Sequence, residues 1–120
     1  MPVLKPRSRR NNPPRAVVIL SAFPRRAQAE RAARLLVRER LLACATLTPN
    51  AAAVYRWKGR DVVETGVLFW GKTIRSRARL AVRALKEAHP DEVPEILILP
   101  VQGGHAPYLE WVAGEVRRKR

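Results

Sequence analysis

Hydrophobic and polar positions alternate between two periods along the chain. Ala16–Leu20 is a short, continuous apolar run of strand length, closed off by Pro24. Residues 25–42 then follow a helical period. Ala29, Ala32, Ala33, Leu36 and Val37 make one apolar stripe, with Arg31, Arg34 and Arg38 outside it and Glu30 placed to pair with Arg34. Residues 43–57 read as a strand interrupted near Pro49-Asn50. Lys58-Gly59-Arg60-Asp61 reads as a hairpin turn, and Val62–Thr73 as a returning strand centred on Val67, Leu68, Phe69 and Trp70. A second amphipathic helix is predicted over Ser76–Ala88, with Ala78, Ala81, Val82 and Leu85 inward. His89-Pro90 ends it. Glu95–Pro100 is a short apolar strand, Gly103-Gly104 a turn, and Pro107 opens a last helix.

This order is βαββαβ plus a terminal helix, a split βαβ, ferredoxin-like α+β arrangement. Two helices cover one face of such a sheet and leave the other open. The long hairpin overhangs a small domain, and exposed edges with apolar flanks invite association. An oligomer is therefore expected.

Length and composition narrow the class. At 120 residues and 47% hydrophobic content, the chain is one folded domain, expected over residues 16–116. No apolar run approaches the roughly 18–20 residues of a membrane span, and no secretory leader is expected. Cys44 is the lone cysteine, which excludes an internal disulfide and a zinc site closed by CxxC pairs. A lone thiol suits a reducing compartment, so a cytoplasmic location is expected.

The net charge of +14 suggests a nucleic-acid partner, but its distribution weakens that reading. Residues 1–15 carry Lys5, Arg7, Arg9, Arg10 and Arg15 with no acid, and residues 117–120 are all basic, so the domain between them holds only +5. The first segment reads as a disordered arm and the last as a tail. Contact with nucleic acid is expected to be non-specific and made through these tails.

Several short motifs occur in one order. These are Ala43-Cys44-Ala45-Thr46, Val54-Tyr55-Arg56-Trp57-Lys58-Gly59, Lys72-Thr73, His89-Pro90 followed by Glu92-Val93-Pro94-Glu95, and Tyr108-Leu109-Glu110-Trp111. Together they resemble the CutA family of divalent-cation tolerance proteins over residues 16–116. The resemblance implies a ferredoxin-like homotrimer, PII-like in architecture. Its hairpin strands would pair across subunits, and Tyr55, Tyr108 and Trp111 would lie at the trimer interface. It implies a role in tolerance to divalent metals, copper especially, and brings no catalytic reaction with it. Asp91 stands where members commonly carry tyrosine, and Pro49-Asn50 where Pro-Gly is usual. Ser21 and Ala84 stand where some members have further cysteines, so a thiol-rich metal site does not carry over.

Cys44 and His89 are the candidate metal ligands, because thiolate suits Cu(I) and imidazole suits Cu(II). Each also has a bland reading, Cys44 as a small buried hydrophobe and His89 as a partner for helix-end carbonyls. Lys72 interrupts an apolar strand and needs an acid or an anion. The family pattern offers Glu92 and Glu95, in a pocket between subunits with Trp57 and Cys44 and with Asp91 at the rim. No nucleophile elbow, phosphate loop, HExxH or dinucleotide fingerprint is present. The function expected is that of a trimeric divalent-cation tolerance protein, not an enzyme, that binds copper or a related ion weakly. The alternative is a PII-like regulator that senses a small anion in the subunit clefts.

Overall fold

The computed structural model describes residues 15–117. Of the expected arm and tail, all but Arg15 and Arg117 lie outside these residues. The elements are β1 (Ala16–Phe23), α1 (Arg26–Arg38), β2 (Cys44–Trp57), β3 (Arg60–Ile74), α2 (Arg75–Ala88), β4 (Ile96–Pro100) and α3 (Ala106–Glu115). The strands form one antiparallel sheet in the order β2-β3-β1-β4. This is the predicted ferredoxin-like arrangement, with its additional C-terminal helix.

The α1 and α2 stripes pack on one face of the sheet. Ala29, Ala32, Leu36, Ala78, Ala81 and Leu85 meet Val17, Ile19, Phe23, Val67 and Phe69 in the main core. The other face carries a smaller cluster at one end, where Val112, Ala113 and Val116 of α3 cover Ala43 and Ile74. Farther along that open face, Leu97 and Leu99 remain exposed.

Helix α1 stops at Arg38, short of the predicted residue 42. Arg40 takes a left-handed φ of 61°. The Leu41 N–H donates to the Leu36 carbonyl (2.9 Å) and the Arg40 N–H to that of Val37 (3.0 Å), which closes a Schellman motif without glycine. Leu41 and Leu42 then turn back into the core. Val37, expected inward, is exposed, and Glu30 pairs backward with Arg26 (3.8 Å) instead of forward with Arg34.

The hairpin is the unusual part. The Lys58-Gly59 tip has φ of 50° and 79°, the type I′ geometry that matches strand twist, so Arg60 and Asp61 already belong to β3. Strand β1 reaches β3 only as far as the Phe23–Val67 pair. Residues 51–57 and 60–66 therefore continue as a two-stranded ribbon beside nothing else in the sheet. The radius of gyration is 16.7 Å, against the ~13 Å of a compact domain of about 100 residues.

A bulge marks where the ribbon begins. Pairing jumps from Thr48–Leu68 to Ala51–Gly66, so Pro49 and Asn50 stand opposite Val67 alone. Asn50 takes φ 59°, a left-handed conformation that asparagine tolerates in place of the usual glycine. The extra residue reverses the side-chain alternation of β2. The face that holds Cys44, Thr46 and Thr48 continues as Ala51, Ala53, Tyr55 and Trp57.

Gly66 lies where the ribbon leaves the sheet. A Cβ there would sit 2.6 Å from the Phe23 carbonyl oxygen, a backbone atom with little room to yield. Gly66→Ala is expected to destabilise the fold by roughly 1–3 kcal/mol in denaturant titration. Gly103→Ala, with nothing within 4 Å of the new methyl, should stay within about 0.5 kcal/mol of the parent.

Candidate functional site: an acid-lined cleft beneath the ribbon

The bulge aims Tyr55, Trp57 and Glu64 to the same side of the ribbon. Facing them is the segment after α2, residues 89–95. Between the two lies a cleft of about 650 Å³, floored by Ala22, Gly66 and Leu68.

The far wall is clamped at both ends. At one end the His89 side chain is wholly buried and stacks on Phe23 at 4.2 Å. Its Nδ1 accepts the Asp91 backbone N–H (3.1 Å), which leaves Nε2 as the nitrogen that donates to the Ala22 carbonyl (2.7 Å). At the other end the buried Ser21 hydroxyl donates to the Glu95 carbonyl (2.7 Å). Asp91, Glu92 and Val93, held between these anchors, are exposed.

The charged side chains lining the cleft are Glu64, Asp91, Glu92 and Glu95, all of them acids. Their field reaches Tyr55. The Glu64 carboxylate, then partial desolvation, then the Asp91 charge push its hydroxyl above the usual tyrosine range.

The predicted site residues therefore divide. Trp57, Asp91, Glu92 and Glu95 share the cleft, and Tyr55, expected at a subunit contact, lines it too. Lys72 and Cys44 do not join them. They face each other across β2 and β3, four residues along β3 from Leu68, or about 13 Å. Within the chain Lys72 does not reach Glu92 or Glu95. Its Nζ donates instead to Thr46 Oγ1 (2.7 Å) and to the Trp70 carbonyl (3.1 Å). Cys44 Sγ lies 3.5 Å from the Tyr108 hydroxyl, and Tyr108 packs on Trp111 with ring centres 5.7 Å apart.

Cys44 and His89 thus lie toward opposite ends of β1, and both ring nitrogens of His89 are engaged. Among the described residues, no three His, Cys, Asp or Glu side chains converge to hold a metal ion. Sequence reading missed Ser21 and Glu64 as parts of the site. Glu64 had one usable signal, its cross-strand place near Tyr55 once the register is known.

The chain matches the family described as CutA1 divalent ion tolerance protein over residues 17–115. It is 40% identical over 102 residues to the divalent-cation tolerance protein CutA of Pectobacterium atrosepticum, covering 85% of this chain and 93% of that protein. It is similar to the crystal structure of CutA from Xylella fastidiosa, with a TM-score of 0.83, 33% identity and coverage of 85% and 98% of the two chains. The PII-like protein CutA from Nostoc aligns with a TM-score of 0.78 at 31% identity, covering 84% and 97%. The chain belongs to the CutA family of divalent-cation tolerance proteins, and its fold is PII-like. Among the described residues, no helix is long and apolar enough to cross a membrane.

Burial, and then the hydrogen bond to Cys44, push the Tyr108 hydroxyl from 10.0 up to about 12. A pKa raised by folding gives stability that is complete below the unfolded value and lost as pH rises through the folded one. The parent should lose stability between pH 10 and 12, and Tyr108→Phe should lose less over that window. The difference, read from thermal unfolding against pH, is at most about 1 kcal/mol, because water screens a half-exposed ring. His89→Ala removes the donor to the Ala22 carbonyl and the stack on Phe23, and should cost about 2–4 kcal/mol in denaturant titration.

Proposed function

We propose that the chain works as a homotrimer whose acid-lined clefts take a divalent cation, copper or a related ion, weakly. The observation that carries this reading is the sign of the cleft. In a chain of net charge +14, the charged residues around this one 650 Å³ space are all carboxylates. Carboxylate oxygens suit hard divalent ions and Cu(II) better than Cu(I), which prefers thiolate. Because no three candidate ligands converge within one chain, the proposed ion is held loosely and shared with groups from a neighbouring subunit. Cys44 and Lys72 are kept in this proposal as groups that a neighbour's cleft would meet, and His89 as the residue that holds the cleft wall.

The alternative, a PII-like regulator that senses a small anionic ligand in the same clefts, is disfavoured by four carboxylates with no basic residue among the described residues of the lining. No reaction is proposed, and the lone thiol supports a reducing compartment.

Association rests on the ribbon and the open sheet face. Val54 and Val63 pair across the ribbon at 74% and 72% exposure, and Leu97 and Leu99 are uncovered as well. Apolar surface of this kind seeks a partner. Sedimentation at micromolar concentration is expected to give a species three times the 13.6 kDa chain mass. Val54→Asp should shift it toward monomer.

Calorimetry with Cu(II) tests the cleft. Asp91→Asn and Asp91→Tyr should each weaken binding about fivefold or more, the effect of one nearby charge at intermediate dielectric. Unchanged Cu(II) affinity in both variants would overturn the cation reading. Tighter nucleotide binding by Asp91→Asn would establish the anionic alternative.

A further inference from the structure

The end of the molecule at which both basic chain segments emerge has the opposite sign. Residues far apart in sequence meet there through direct contacts. The Arg75 N–H donates to the Arg15 carbonyl (2.9 Å), which ties the entry to β1 to the start of α2. Arg77 donates to the Arg40 carbonyl (3.3 Å), which ties α2 to the end of α1. Arg40 Nη1 in turn donates to the Glu115 carbonyl (2.8 Å), at the end of α3. Arg79 lies one turn beyond Arg75, and Arg117 two residues beyond Glu115; the side chains of Arg75, Arg79 and Arg117 are exposed. Glu115, whose carboxylate is 3.9 Å from Arg40, and Glu39 offset part of this charge.

The charge is increased by what is attached. Residues 1–14 leave from Arg15 and carry Lys5, Arg7, Arg9 and Arg10 with no acid. Residues 118–120 leave from Arg117 and are all basic. Both segments start at the same pole. Helix α2 opens with Arg75 and Arg77 and has no acid in its first turn. Cations at the positive end of a helix are unfavourable, and a bound polyanion relieves that repulsion.

We propose that this arginine pole binds double-stranded DNA through its phosphates, without reading sequence. Arg40 and Arg77 are held on main-chain carbonyls, and the exposed basic groups Arg15, Arg75, Arg79 and Arg117 are all arginines, whose planar fork suits phosphate oxygens. Single-strand binders add aromatic faces for base stacking. Here Tyr55 and Trp57 line the cleft, while Tyr108 packs at a tilt on Trp111 and touches Cys44. None of the contacts that join these arginines involves an aromatic ring, so the pole offers charge and hydrogen bonds, as a duplex backbone requires.

The test is fluorescence anisotropy of the full chain with a labelled duplex of arbitrary sequence, across a salt series. The parent should bind with log affinity falling linearly against log salt. Arg75→Gln/Arg79→Gln/Arg117→Gln should weaken binding about tenfold or more and make the salt slope shallower by about three. Arg31→Gln/Lys58→Gln/Arg60→Gln removes the same charge elsewhere and should leave affinity within about twofold of the parent, as expected for residues outside the contact. Equal losses in the two triples, or a parent without salt-dependent binding, would overturn the proposal. So would tighter binding to single-stranded DNA than to duplex. Loss of binding on deleting residues 1–14 and 118–120, with the Arg75/Arg79/Arg117 triple unaffected, would assign the contact to the tails alone and overturn the folded pole.

Discussion

A mismatch in strand length governs this molecule. Strand β1 has eight residues and β3 fifteen, and their pairing ends at Phe23–Val67. Beyond that point β2 and β3 have only each other, and an isolated two-stranded ribbon is marginal in water. What holds it at its root is local. The bulge at Pro49-Asn50 rotates the strand, and Gly66 lets it pass beneath the Phe23 carbonyl. The overhang creates both features that bear on function. It exposes the Val54–Val63 flank, and it encloses a cleft against the segment after α2.

Charge in this chain is sorted by the fold. Along the sequence the sorting is partial: Asp91, Glu92 and Glu95 come from one acidic segment, whereas Glu64 and the four arginines are scattered. In space, four carboxylates surround the cleft, while Arg15, Arg40, Arg75 and Arg77 gather where β1 begins and α1 and α3 end. The sorting depends on backbone contacts more than on ion pairs. His89 and Ser21 grip main-chain atoms to fix the acidic wall, and Arg77 and Arg40 grip main-chain carbonyls at the basic end. Most of these acceptors are uncharged main-chain carbonyls, so neither pole is placed by an ion pair with the other.

Periodicity made the two packing helices and the strand order legible. The inward stripe of α2 and the α1 positions Ala29, Ala32 and Leu36 are buried as the pattern implied. The end of α1 was not legible, because Arg40 adopts a conformation usually signalled by glycine. Within one chain Trp57, Asp91, Glu92 and Glu95 share the cleft, and Lys72 and Cys44, expected with them in a pocket between subunits, lie several residues away along the strands. Short motifs report which residues recur in a family. They do not say how far apart a bulged hairpin sets them. Glu64 and Ser21 carried no motif at all, and became recognisable only once the register placed one near Tyr55 and the other under the Glu95 carbonyl.

The tip of the ribbon has a consequence of its own. Gly59 has nothing near its α-carbon on the side where a methyl would project, and strands 51–57 and 60–66 alternate strictly. Such a hairpin can grow or shrink only in quanta. Adding one residue to each arm exchanges inside for outside beyond the insertion, whereas adding two restores the original presentation one pleat farther out. Reach in this architecture is therefore adjustable in steps of roughly 7 Å, while the bulge at the root alone decides which side chains look into the cleft.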